Sequence, residues 1–347
     1  MATDAKEYRF IKACRREEVD CTPVWMMRQA GRYLEKYRKV REKHSFLEMC
    51  KTPDLAVEVT LQPLELIDLD AAILYSDILI PVEPMGIDLE FLESKGPVIH
   101  NPVRSAADIK KLRVIEPGKD VPFVAESIKI LRRELDGKAP LIGFSGAPFT
   151  LASYMVEGGS SKNYLFTKEM MYKAPELFRE LMQKITDTVI AYLNAQVDAG
   201  AQAIQVFDSW VGCLAPLDYR KYVLPFSRQV MDGVKGDVPK IHFGTDTAGI
   251  LELMKEAGGD VIGVDWRIDL DTAWKRLGYD VAVQGNFDSS KLFGTREIIE
   301  EGVKDILDRA ENRRGHIFNL GHGIQPNTPT ENAAFMVDAV HRLSRRK

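Results

Sequence analysis

Short, almost unbroken apolar runs recur eight times along the 347-residue chain, each followed by a stretch of helical pattern. They are Val24–Met27, Ala71–Tyr75, Leu141–Phe144, Ala203–Phe207, Lys240–Phe243, Val261–Val264, Val281–Gln284 and His316–Asn319. A run that is apolar at nearly every residue is the pattern of a parallel strand covered on both faces. Parallel strands need crossovers, and right-handed strand–helix units repeated eight times close most simply into a barrel. The expected fold class is therefore α/β, a (β/α)8 TIM barrel forming one catalytic domain over 1–347. A doubly wound open sheet is the competing arrangement. It is weakened because Gly-x-Gly-x-x-Gly follows none of the runs.

Helix signals punctuate the pattern. Thr52-Pro53-Asp54 supplies a capping residue and then Pro at the first helical position. Thr328-Pro329-Thr330-Glu331 does the same and adds the Glu of a capping box. Phe166 to Ala199 reads as helical, broken near Pro175 and ended by Gly200. Asp246–Ala257 and Thr295–Asn312 are further expected helices. One connection, Ile80 to Pro122, is unusually long. Its alternating Leu89-Glu90-Phe91-Leu92-Glu93, then Ser94-Lys95-Gly96-Pro97 and Val98-Ile99, predict a small hairpin excursion at the rim after the second strand.

Net charge is −4, which argues against a nucleic-acid protein held by bulk electrostatics. No apolar run is long enough for a transmembrane helix, and Met1 to Glu7 shows no basic-then-apolar leader pattern. Cys14, Cys21, Cys50 and Cys213 fit neither a zinc site nor a C-x-x-C pair. They read as reduced packing thiols of a cytoplasmic protein.

In a barrel of this type the chemistry lies beyond the carboxyl ends of the strands. Just past the runs stand Arg28, Asp77, Ser145 to Pro148, Asp208 with Ser209, Thr245 with Asp246, Asp265, Asn286 with Asp288, and His322. Arg28 and Arg32 come first. If the chain turns into helix after the first strand, they share one helix face, and each can grip a carboxylate through two parallel hydrogen bonds. Gly31 between them permits close backbone approach. Arg38 and Arg41 read as a solvated basic face. Asp77 is followed by apolar Ile78-Leu79-Ile80, surroundings that make a carboxylate costly unless a cation or donor meets it. It is either a functional carboxylate or a structural one, a helix cap or a core ion pair with Arg28. His322 stands between Gly321 and Gly323, a tight turn that presents an imidazole. His242 lies inside a strand and reads as structural. Tyr154, after a strand, loop and helix start, either points its hydroxyl into the mouth or packs as a core aromatic. Ser209 is a donor candidate without the Gly-x-Ser-x-Gly elbow of a serine hydrolase. No His-x-Glu-x-x-His, thiolate-rich zinc set or Walker A loop is present.

The blocks Met27-Arg28-Gln29-Ala30-Gly31-Arg32-Tyr33, Tyr75-Ser76-Asp77-Ile78-Leu79, Tyr154-Met155-Val156-Glu157-Gly158, Phe207-Asp208-Ser209-Trp210 and Phe318-Asn319-Leu320-Gly321-His322-Gly323-Ile324 closely resemble the uroporphyrinogen decarboxylase family. Ala257-Gly258-Gly259-Asp260 and Gln284-Gly285-Asn286 extend the likeness over nearly the whole chain. The resemblance implies a cofactor-free, metal-free carboxy-lyase of haem biosynthesis on a (β/α)8 barrel, commonly a homodimer. Its substrate would be the tetrapyrrole uroporphyrinogen III, decarboxylated at four acetate arms to coproporphyrinogen III. By the same resemblance, Arg28, Arg32 and His322 would hold side-chain carboxylates, and Asp77 would face the pyrrole N–H groups. Tyr154, Ser209, Phe46 and the main chain of Arg28, Gln29, Ala30, Gly31 and Arg32 would also contact substrate, with Asp77 and Arg28 as the catalytic pair.

Overall fold

The computed structural model describes residues 8–92 and 95–346. The readings placed on Met1 to Glu7, Glu93 and Ser94 lie outside the described residues. Among the described residues there are nine strands: β1 (Ala72–Ile73), β2 (Leu89–Leu92), β3 (Gly96–Ile99), β4 (Leu141–Gly146), β5 (Ala203–Asp208), β6 (Lys240–Gly244), β7 (Val261–Gly263), β8 (Ala282–Gln284) and β9 (His316–Ile317). Seven of them form one parallel sheet in the order β1-β4-β5-β6-β7-β8-β9. The Val24 segment joins its two edges. Val24 makes a parallel bridge to Phe318. Phe318 N–H donates to Pro23 O at 2.8 Å, and Asp70 N–H donates to Val24 O at 2.9 Å. With that eighth position the sheet closes as a (β/α)8 barrel.

The first expected strand, Val24–Met27, is thus reduced to a single bridge. Extended backbone ends early because the Gln29 side chain folds back. Its Oε1 accepts from Met26 N–H at 3.2 Å and its Nε2 donates to Ala71 O at 3.1 Å. The other seven runs hold as strands with shifted ends.

The helices that follow the eight barrel positions are Pro53–Leu66, Pro122–Glu134, Pro175–Ala199, Leu224–Gly233, Leu251–Ala257, Leu270–Leu277, Arg296–Ala310 and Thr330–Leu343. Pro53, Pro122 and Pro175 open theirs, where a missing N–H costs nothing. The chain does break at Pro175, after a separate helix Leu165–Lys173, and Gly200 stops the long helix at φ 117°. The expected helix Asp246–Ala257 is shorter, a 3-10 turn over Thr247–Gly249 and then Leu251–Ala257. The expected capping box at Thr328 is absent. The last helix starts one residue later, at Thr330, with Pro329 at the cap position and no side-chain cap. Thr330 Oγ1 donates instead to Tyr33 O at 3.2 Å, tying this helix to the arginine loop.

The excursion is the expected hairpin: β2 and β3 pair antiparallel, Leu89 with Ile99 and Leu92 with Gly96. A bridge from Val98 to Gly159 fastens it beside the helix Pro148–Glu157.

Polar side chains cross the barrel interior. Trp25 Nε1–H donates to Gln284 Oε1 at 2.9 Å, and Gln284 Nε2 donates to Gln205 Oε1 at 3.0 Å. β5 and β8 are separated by two strands, so this bond spans the lumen. Leaving such a buried group unpaired would cost about 1–3 kcal/mol. His242 is fully buried, as expected of a structural residue. Cys14, Cys21 and Cys50 are buried and Cys213 half-buried, all as free thiols. Among the described residues no helix is long and apolar enough to cross a membrane.

Candidate active site

Arg28 opens the site from a strained position. Its φ of 63° is left-handed, a conformation that side-chain-bearing residues rarely adopt. The chain from Arg28 to Leu34 is turn rather than helix, and the next helix begins only at Glu35. Arg28 and Arg32 therefore do not share a helix face. Both are exposed, and Gln29 is locked into the core. The Arg28 stem lies along Gly323: a Cβ there would stand 2.5 Å from Arg28 Cδ. Gly323→Ala should therefore displace the guanidinium while leaving the fold intact. Activity should fall at least tenfold, a change of about 1.4 kcal/mol in transition-state binding, with the melting temperature unchanged. Kinetics beside calorimetry check this.

Asp77 sits just past β1. Leu79 N–H donates to its Oδ1 at 2.8 Å. Its pKa is raised to about 6, chiefly because protein atoms displace water from the carboxyl; the Leu79 N–H and the charge of Arg28 oppose the rise. Asp77 is thus a carboxylate held near its ionisation point, as sites that handle charge often are.

Tyr154 stands on the helix Pro148–Glu157, whose start is pinned by Ala147 N–H donating to Phe207 O at 2.9 Å. Desolvation, then the charge of Asp77, pushes its pKa up to about 12, so the phenol stays protonated. Its ring meets Trp210 edge-on at 5.9 Å, and Trp210 meets Tyr164 at 5.8 Å. Trp210 N–H donates to Thr150 Oγ1 at 3.4 Å, and Thr150 Oγ1 donates to the buried Asp208 at 3.2 Å. Ser209, between them, has its carbonyl bound by Thr245 Oγ1 at 2.6 Å.

His322 is half-buried. Gly323 N–H donates to its Nδ1 at 2.7 Å, which assigns the proton of the neutral ring to Nε2. Desolvation, then Arg28 and Arg267, keep its pKa low, while Asp265 opposes them. Arg28 thus acts electrostatically on Asp77, Tyr154 and His322 alike, and Asp77 on Tyr154. Four residues from distant parts of the chain share one mouth.

Phe46 and Arg32 lie toward the hairpin. A capping box between Ser45 and Glu48 starts the helix Phe46–Lys51. Phe46 packs on Tyr75 at 6.0 Å and on Phe91 of β2 at 4.8 Å. Tyr75 and Tyr37 join hydroxyls at 2.9 Å, and Arg32 acts on Tyr37.

Sequence reasoning missed Trp210 and the pair Trp266 and Arg267. The Arg267 guanidinium covers the Trp266 ring at 4.0 Å, and Trp266 meets His322 edge-on at 6.3 Å. Their signal was position alone, within two residues after Asp208 and Asp265 at strand ends. Among the described residues, no three His, Cys, Asp or Glu side chains converge as a metal site.

Guanidinium, carboxylate, phenol and imidazole gathered at the carboxyl ends of parallel strands define a (β/α)8-barrel enzyme. Comparison with known proteins narrows the class. The chain belongs to the uroporphyrinogen decarboxylase (URO-D) family, whose model matches residues 5–343. A uroporphyrinogen decarboxylase of Carboxydothermus hydrogenoformans is 60% identical over 336 residues, 96% of each chain. One of Syntrophotalea carbinolica is 58% identical over 341 residues, 98% of each. A solved methyltransferase from Methanosarcina mazei superposes with a TM-score of 0.83 over 96% of this chain and 98% of its own, at 23% identity. That likeness shows the shared fold alone.

Proposed function

We propose that this chain removes the four acetate carboxyl groups of uroporphyrinogen III as CO₂, giving coproporphyrinogen III in haem biosynthesis. The observation that carries the reading is a half-buried Asp77, held near its ionisation point beside the exposed Arg28, in a chain of this family. The substrate has eight carboxylates around a ring of four pyrrole N–H groups. Arg28, Arg32 and His322 suit the carboxylates. Asp77, which when ionised accepts hydrogen bonds and donates none, suits the N–H groups. Tyr154, Ser209, Phe46 and the main chain over Arg28–Arg32 complete the contacts.

The chemistry follows from charge. Protonation of the pyrrole carbon next to the one bearing an acetate arm makes the ring cationic. The C–CO₂ bond then breaks, and its electron pair neutralises that cation. Protonation of the methylene carbon and loss of the first-added proton leave a methyl group on a restored pyrrole. Asp77, already fixed in place, stabilises the cationic ring without reorganisation. The pyrrole is itself the electron sink, so the reading requires no cofactor. Arg28 anchors carboxylates rather than serving as the acid, because guanidinium groups give up protons far above neutral pH. Anaerobic incubation with reduced uroporphyrinogen III, followed by mass, tests this: stepwise loss of four CO₂ is expected, and no loss overturns it.

The same reading makes the chain a single catalytic domain, cytoplasmic and homodimeric. An apolar surface supports the dimer. Leu165 is 67% and Leu217 73% exposed. Their segments are tied together by Lys168 Nζ donating to Cys213 O at 2.7 Å and Tyr172 OH donating to Asp218 at 2.8 Å. Exposed apolar patches of this kind mark interfaces. Leu217→Asp should convert a dimer to a monomer with little change in melting temperature, as light scattering would show.

A further inference from the structure

The turn after β7 is held far more tightly than a loop requires. The Asp265 carboxylate accepts from Asp246 N–H at 2.6 Å, Arg267 N–H at 3.1 Å and Arg267 Nη1 at 2.7 Å. Asn286 Nδ2, from the loop after β8, donates to Asp265 O at 2.9 Å and to Ile268 O at 2.6 Å, closing both ends of the turn. Arg267 Nε pairs with Asp246 at 2.7 Å, linking the loops after β6 and β7.

What this holds is Trp266. One face of the indole is covered by the Arg267 guanidinium at 4.0 Å. Its ring stands at 81° to the His322 imidazole, 6.3 Å away. The two loops meet at Gly321, where a Cβ would lie 2.5 Å from Trp266 N. Only a glycine lets the loop carrying His322 come this close. Backbone and side chain together set the indole as a wall against the imidazole.

We infer that Trp266 is a positioning residue for His322: the clamped turn sets the indole as a wall that aims the imidazole Nε2–H at a substrate carboxylate. This rests on the reading of His322 as a carboxylate-binding group. Edge-to-face aromatic pairs contribute modestly, about 0.5–1.5 kcal/mol. The effect should therefore be on orientation rather than on folding. Arg267 serves the wall and not the ligand, because two carboxylates, Asp246 and Asp265, already engage its guanidinium.

The test is a double-mutant cycle with Trp266→Ala and His322→Gln, alongside Trp266→Phe. Trp266→Ala should raise KM about tenfold with kcat altered less than about threefold. In the His322→Gln background the same substitution should change KM less than about twofold. Trp266→Phe keeps an aromatic edge and should recover most of the affinity. In substrate-free enzyme, imidazole nitrogen NMR should show His322 titrating higher in Trp266→Ala, because water reaches the ring. Arg28, Arg267 and Asp265, the charges facing it, stay in place. Equal KM penalties in both backgrounds, or unmoved His322 resonances, overturn the inference. Should the wild-type protein fail to decarboxylate uroporphyrinogen, the functional reading falls while the NMR arm still decides the positioning.

Discussion

Asp77→Asn should fold normally, melt no lower than the parent at pH 7.5, and lose about 10³ in kcat, the scale seen when one preorganised electrostatic partner is removed. Asn retains an oxygen for the Leu79 N–H but carries no charge to set against a cationic ring. The stability half of the expectation follows from linkage. The folded pKa, about 6, lies above the ordinary 3.8. The stabilisation that this group contributes is complete below about pH 4 and is lost as pH rises through about 6. Above that, the folded protein bears the cost of an ionised, desolvated carboxylate, and Asn does not. Thermal unfolding from pH 4 to 8 should therefore show a decline in the parent that the variant lacks. If ionised Asp77 is the active form, kcat/KM should fall on the acid side with an apparent pKa about 6. Near-normal turnover by Asp77→Asn would sink the assignment.

Arg28→Ala should lower kcat/KM by about 10²–10³ through loss of a bidentate carboxylate partner, mainly as a rise in KM. Lys should not rescue it, because an ammonium lacks the planar fork. A second consequence separates this from simple loss of a contact. Arg28 lowers the pKa of Asp77 and of His322. Removing it should raise both, so the acid limb of kcat/KM moves to higher pH. Arg28→Gly adds a stability readout. A side-chain-bearing residue in the left-handed region costs about 1–2 kcal/mol, so Gly at φ 63° should melt slightly higher while remaining inactive. An unshifted acid limb in Arg28→Ala would show that the guanidinium does not act on Asp77.

The strands were readable because burial on both faces writes itself into consecutive residues. Val261 to Val264 and Ala203 to Phe207 leave little other interpretation. Reading the first one to three residues past each run then reached Arg28, Asp77, Asp208, Asp265 and His322. Local turn chemistry was less legible. The segment after Arg28 carries good helix formers, yet Gln29 found two backbone partners in the core and bent the chain into turns. Thr328 carried a capping pattern, but a contact to the arginine loop claimed Thr330 and moved the helix start. In both places a tertiary hydrogen bond outweighed a local preference of comparable size.

Composition and pattern alone determined that this chain forms a parallel α/β barrel, which end of it carries chemistry, and which strand ends hold the charged candidates. These follow from periodicity and from the polarity of parallel strands, both properties of the chain in order. Only the tertiary structure decided what each candidate faces. That Arg28 lies along Gly323, that it sets the charge environment of Asp77 and His322 together, and that Trp266 forms the wall beside His322 depend on loops that stand far apart along the chain. No local preference encodes those approaches, because they arise from the closure of the barrel and from glycines whose missing Cβ lets two loops meet.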